Sequence, residues 1–270
     1  SVNGTYNIHV SNISFLGTAT ALGGILVGTT TTTPVLISSL KNINIDLFNG
    51  AVGPDGAYGL RVMRCQQTIF ENIHSHQNYN GFDIQGLNTT LTFRNCHAKS
   101  SVNIGWYLRG IVGSSFYQCL AESNGAYGLG IYSDDVNSVN FFSWHSESNN
   151  LTGGTAPNII SGDGVTGSPI YINFFGGYFG DAVGGLTWDI DYCERVSWDY
   201  TTLGTITGGM KVTNNTIQCL FNHWNTGVII TDNTPSRVTI NPGTWTAWTS
   251  TLVWATANPT LGTVVSRYQI

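Results

Sequence analysis

A four-residue element recurs along the chain: a glycine, then apolar, any, apolar. It stands at Gly24-Ile25-Leu26-Val27, Gly59-Leu60-Arg61-Val62, Gly81-Phe82-Asp83-Ile84 and Gly105-Trp106-Tyr107-Leu108. It returns at Gly128-Leu129-Gly130-Ile131, Gly185-Leu186-Thr187-Trp188, Gly209-Met210-Lys211-Val212 and Gly227-Val228-Ile229-Ile230, and Asn158-Ile159-Ile160 fills the one wide gap imperfectly. Successive starts lie 35, 22, 24, 23, 30, 27, 24 and 18 residues apart. The shorter spacings fit one turn of a solenoid, and the longer ones imply loop insertions. A second element keeps step with the first. Phe70-x-x-Ile73, Phe93-x-x-Cys96 and Phe116-x-x-Cys119 start 23 residues apart, and Phe141-x-x-Trp144 follows 25 later.

Each coil therefore carries at least two strands, with apolar residues turned inward and the intervening residue turned outward. One such coil cannot bury its own apolar face. Stacking coils at a strand spacing of roughly 4.8 Å pairs the backbone and builds a continuous core. The expected fold is all-β: a right-handed parallel β-helix of about nine coils over residues 1–231. A β-sandwich would leave the shared period of two separate elements unexplained, and the Leu-rich consensus of leucine-rich repeats is absent. The glycine at each strand entry is expected at a corner with positive φ. Residues 232–270 break the repeat, with Pro242, Gly243, Trp245, Trp248, Trp254, Pro259 and Gly262, and read as the start of a small, truncated C-terminal β module.

Charged residues make up only 9% of the chain, against about 25% in an ordinary soluble domain. Asn, Ser, Thr and Gly supply the polarity, and these suit turns and sheet surfaces better than helices. The net charge is −5 with no basic block, which excludes a nucleic-acid backbone as main partner. No apolar run reaches the ~18 residues of a membrane span, so membrane insertion is not expected. The chain opens directly in strand-like sequence, so it is expected to begin inside a longer protein or after a removed signal. Of the cysteines Cys65, Cys96, Cys119, Cys193 and Cys219, the second and third fall at equivalent repeat positions and should stack in the core. They read as buried free thiols, with disulfides as the alternative.

The coils, over about residues 5–231, resemble the pectin-lyase-like β-helix superfamily, and phage tailspikes within it. The segments Thr244-Trp245-Thr246-Ala247-Trp248, Gly262-Thr263-Val264 and Arg267-Tyr268-Gln269-Ile270 resemble the opening of small β modules near the C-termini of phage tail proteins. The resemblance implies a tailspike or tail-fibre domain: a homotrimer on the virion, assembled in the host cytoplasm and acting outside the cell. Its partner would be host-surface polysaccharide, capsule or lipopolysaccharide. The superfamily's enzyme signatures are mostly missing. Of the polygalacturonase motifs only Asp134-Asp135 has a counterpart, and the calcium-binding acidic cluster of pectate lyases has none.

Outward positions on successive coils form columns, so a face can be read from the sequence. The first face displays Arg61 and Met63, then Asp83 and Gln85, Tyr107 and Arg109, and Gly130 and Tyr132. Aromatic rings with charged forks suit sugar C–H surfaces and hydroxyls. Arg61, Tyr107, Arg109 and Tyr132 are thus candidate substrate-binding residues, though an Arg61–Asp83 surface pair explains part of the strip equally well. The second face displays His76, Lys99, Glu122 and Glu147 in one column and His74, His97, Leu120 and His145 in the next. Glu122 and Glu147 on adjacent coils would stand about 5 Å apart, the geometry of a retaining glycosidase. They are the candidate catalytic pair, with Asp83 third; the competing reading is a Lys99–Glu122 surface ladder. No metal or cofactor is expected, because the histidines lack an acidic or Cys partner at metal-ligand spacing. Asp189 and Asp191 read as a separate acidic patch. Three functions remain open: a depolymerase (glycoside hydrolase or lyase), a glycan-binding module, or a structural shaft.

Overall fold

The computed structural model describes residues 8–28, 35–36, 39–50, 56–133, 135–152, 156–162, 168–180, 186–199 and 201–203, and beyond these the strand backbones 209–213, 219–224, 229–232, 238–242 and 252–254. The chain winds as a right-handed parallel β-helix, and every strand pairing among the described residues is parallel. Among the described residues no helix is long and apolar enough to cross a membrane.

The Gly-apolar-x-apolar elements stack on one face, from Gly23–Gly28 and Tyr58–Met63 through Asn80–Thr89, Ile104–Val112 and Tyr127–Tyr132. The stack continues through Asn158–Ser161 and Leu186–Asp191 to Leu252–Trp254, and Val238–Pro242 likewise pairs with Cys219–Trp224. Parallel pairing thus runs past the boundary expected at residue 231. The stretches around Thr244–Trp248 and 255–270 lie outside the described residues.

The Phe-x-x-apolar element proves to be two faces, because the backbone bends inside it. A column of left-handed residues marks the bend: Asn42 (φ 53°), Asn72 (φ 53°), Asn95 (φ 50°), Gln118 (φ 51°) and Ser143 (φ 52°). Two further columns of left-handed residues, Gln67–Thr90–Gly113–Ser138 and Gln77–Ser100–Ser123–Ser148, close the coil into a three-faced prism. Most of these corners are not glycine, and each costs about 1–2 kcal/mol of conformational energy. The hydrogen-bond ladder offsets it by continuing around the corner. Ser100 N donates to Glu122 O at 2.9 Å, and Gln118 N donates to Phe142 O at 2.8 Å.

Among the described residues, the glycines at the strand entries do not have positive φ, contrary to the expectation from the sequence. They are required for space. A Cβ on Gly105 would stand 2.6 Å from Asn124 Nδ2 and 2.8 Å from Gly128 O. Gly81 and Gly128 are crowded in the same way by the next coil or by the buried corner side chains beside them. Those side chains carry the polar bookkeeping of the corner. Asn124 Oδ1 accepts from Ser101 N (3.0 Å) and its Nδ2 donates to Ala98 O (3.3 Å). Asn149 repeats the pattern one coil on, accepting from Asn124 N (3.1 Å) and donating to Ala121 O (3.0 Å).

Inside the prism, equivalent side chains lie on one another. Phe70, Phe93, Phe116, Phe141 and Phe174 form one column, with neighbouring ring centroids 4.6–4.8 Å apart and interplanar angles of 5–16°. Phe82 and Trp106 stack at 3.8 Å in a second. All of these rings are fully buried. Cys65, Cys96 and Cys119 are buried free thiols, the last two stacked as their repeat positions predict, and Cys193 is buried as well; the Cys219 side chain lies outside the described residues.

Gly105→Ala is expected to lower the unfolding free energy by about 1–3 kcal/mol through overpacking, read from the urea midpoint. Gly113→Asn, at a left-handed corner (φ 58°) with nothing within 4 Å of the added Cβ, should stay within about 0.5 kcal/mol of wild type. Burial pushes the Cys65 thiol up to about 12 and Cys119 well above its ordinary value. Iodoacetamide at pH 8 should leave both unmodified in the folded protein and label both in urea, as peptide mapping would show.

Candidate functional site

On the first face the register runs Arg61, Asp83, Tyr107, Gly130, with Met63, Gln85 and Arg109 beside it. Asp83 alternates with the core residues Phe82 and Ile84, so it leaves the core as the sequence predicts, yet its side chain is 0% exposed. Its neighbours roof it over. Arg61 Nε donates to Oδ2 at 2.7 Å, Arg109 Nη2 lies 3.4 Å from Oδ1, and Arg109 Nη2 also reaches Gln85 Oε1 at 2.8 Å. Burial pushes the Asp83 carboxyl above the usual range, with the two guanidinium groups working against it. The same guanidinium groups rest on aromatic faces, Arg61 at 4.0 Å from the Tyr58 centroid and Arg109 at 4.3 Å from Tyr107. Tyr132 folds back over Gly130, where a Cβ would stand 2.6 Å from its ring, and meets Tyr107 edge-on at 5.0 Å. The strip is thus a cross-braced patch of three tyrosines and two arginines. Asp83 holds the arginines from beneath and presents no surface of its own.

The third face carries the carboxylate column. Glu122 pairs in register with Glu147, and Lys99 with Glu122, so the two acids do stand on adjacent coils. Lys99 Nζ donates to Glu122 Oε1 at 2.8 Å, and that bond holds Glu122 below the usual carboxylate range. Glu147 is half exposed, its Oε2 3.0 Å from His145 Nε2. Asp189 and Asp191 sit on the first face four coils beyond Asp83, in the columns of Ile159 and Ser161, and form no common site with it. Asp135 lies at a turn; Asp134 is outside the described residues.

One grouping escaped the sequence reading, and another was read there as columns of histidines without a metal. The first is an aromatic ladder on the second face, where Tyr117, Phe142 and Phe175 stack at 4.8 and 5.1 Å. Tyr117 and Phe175 are exposed. The signal was present in Tyr117 and Phe142, each the residue after a Phe of the second element. The other is a histidine group. His97 is the register partner of His74, and His76 lies two residues from His74 on the same strand face. Their ring centroids are 5.5–5.9 Å apart. Burial pushes His97 down to about 4 and lowers His76, so both are neutral at neutral pH. These residues offer a set of nitrogen ligands for a metal ion.

No family model and no curated protein matches the sequence. Solved structures do. The A-module of mannuronan C-5 epimerase AlgE6 from Azotobacter vinelandii aligns over 93% of this chain and 88% of its own, with 12% identity and a TM-score of 0.50. The A-module of AlgE4 from the same organism aligns over 88% and 73%, with 11% identity and a TM-score of 0.46. The gp42 tailspike of Acinetobacter phage vb_AbaP_AS12 aligns over 82% of this chain and 45% of its own, with 9% identity and a TM-score of 0.49. At such identities the AlgE6 likeness speaks for architecture alone. Strand pairing, three-cornered coils and that alignment agree: the chain is a right-handed parallel β-helix.

Proposed function

We propose that this β-helix is a phage tailspike or tail-fibre domain that binds host-surface polysaccharide, capsule or lipopolysaccharide, and cleaves it as a glycan depolymerase. The observation that carries the catalytic part is the register of Glu122 on Glu147. One strand spacing, roughly 4.8 Å, separates their backbones, close to the about 5–5.5 Å between the carboxyls of retaining glycosidases. Glu122, held ionised by Lys99, takes the role of nucleophile. Glu147, half exposed and free of a lysine, takes that of proton donor. The Tyr107–Tyr132 patch with Arg61 and Arg109 supplies a binding surface for sugar rings, and Asp83 serves it as a positioning residue.

A second reading is binding without cleavage. The salt bridge that ties Glu122 to Lys99 favours it, because a paired carboxylate is a weaker nucleophile. In either case the working form is a homotrimer on the virion, and the exposed Tyr117–Phe142–Phe175 ladder gives an apolar surface suited to a neighbouring subunit.

Incubation with host capsule or lipopolysaccharide should release new reducing ends; absorbance of unsaturated uronates would instead mark a lyase. Glu147→Gln should lower cleavage by about 10²–10⁴-fold while glycan binding persists. A Glu122→Gln/Glu147→Gln double variant with unchanged cleavage would remove this pair, and a wild type that binds without cleaving would leave the binding module. Light scattering of the protein should give three times the single-chain mass.

A further inference from the structure

We propose that His74, His76 and His97 form a binding site for a divalent transition-metal ion of the zinc class on the third face of the prism. Three features of the described chain lead there. One ligand-capable nitrogen from each of the three rings lies within 4.8 Å of the other two. In a tetrahedral site with Zn–N of about 2.0–2.1 Å, ligand nitrogens stand roughly 3.3 Å apart, so ring rotations of about an ångström close the site. The backbone permits this, since all three side chains project from neighbouring positions of one rigid sheet.

The second feature is unsatisfied chemistry. His76 Nε2 and His97 Nε2 are both shielded from solvent and make no hydrogen bond. A buried polar atom without a partner costs about 1–3 kcal/mol, and a metal ion meets that need for both rings at once. The third is the surrounding set of groups. Asp46 Oδ1 lies 3.5 Å from His76 Nδ1, and Glu122 Oε2 lies 3.5 Å from His97 Nε2. The Asp46 carboxylate faces the His76 nitrogen opposite the unsatisfied one and so can orient that ring, while Glu122, on the metal-facing nitrogen of His97, adds negative charge to balance the ion. The bordering cation, Lys99, is turned to Glu122 at 2.8 Å.

Three imidazoles select the ion. Nitrogen ligands suit Zn²⁺, Co²⁺, Ni²⁺ and Cu²⁺, whereas Ca²⁺ and Mg²⁺ require oxygen cages. A three-histidine set leaves at least one coordination position open, for water or for an oxygen of a bound sugar. Glu122 borders both this site and the proposed cleavage pair, but the test is independent of cleavage, because metal uptake needs no glycan.

The test is calorimetric titration of the tag-free, EDTA-stripped full chain with Zn²⁺, and with Co²⁺ followed by its visible absorption. One equivalent should bind with micromolar affinity or better, Co²⁺ should give the intense bands of a tetrahedral site, and the melting temperature should rise. His97→Leu is the decisive variant. The same column already holds Leu120 on the next coil, so the fold tolerates the change. This variant and His74→Asn should each weaken Zn²⁺ binding at least tenfold with an unchanged circular dichroism spectrum, and His9→Gln should bind as wild type. Ca²⁺ and Mg²⁺ at millimolar concentration should give no shift. Absent Zn²⁺ binding, or equal binding by the folded His97→Leu variant, would overturn the proposal.

Discussion

Parallel hydrogen bonding from coil to coil decides which side chains become neighbours. Because the ladder continues through the left-handed corners, a residue meets its equivalent one turn away, apart from bulges such as the one between Arg109 and Ile111. Phe lies on Phe through five coils, a thiol column forms at Cys96 and Cys119, and Asn caps Asn at the corner. The same rule orders the outside, where Lys99, Glu122 and Glu147 share one column.

The columns were legible from the sequence because the period is a backbone property that side-chain chemistry merely labels. Phe70, Phe93 and Phe116 could be stacked by counting alone, and so could Glu122 and Glu147. What counting cannot supply is conformation and cover. Asn72, Asn95 and Gln118 bend the second element into two faces, yet Asn, Gln and Ser at those places look like ordinary polar strand residues. The entry glycines drew the explanation usual for glycine, a positive φ, when the reason lies in another coil, in Asn124 and in the carbonyl of the next glycine. Asp83 was read as exposed because alternation gives direction only; it does not say that Arg61 and Arg109 will fold over the carboxylate. The three histidines are separated by 2 and 21 residues, a spacing that resembles no metal motif until a whole coil is laid between them.

Low charge follows from the same architecture. A wide coil with three corners per turn has many backbone groups near bends, and a short amide side chain satisfies both a donor and an acceptor there. Asn88 does so at another corner, accepting from Cys65 N and donating to Val62, Gln85 and Gly110 carbonyls. Its side-chain nitrogen is thereby consumed, so the Asn-x-Thr triplet it begins is closed to glycosylation in the folded chain.

The aromatic columns have a mechanical consequence. Ladder hydrogen bonds run along the solenoid axis, so axial tension stretches them directly. Axial compression meets something harder: rings already in van der Waals contact at 4.6–4.8 Å, with no slack to take up. The prism should therefore behave as a strut, much stiffer when pushed from its end than when bent across its corners, and a force applied at one end would reach the other with little loss.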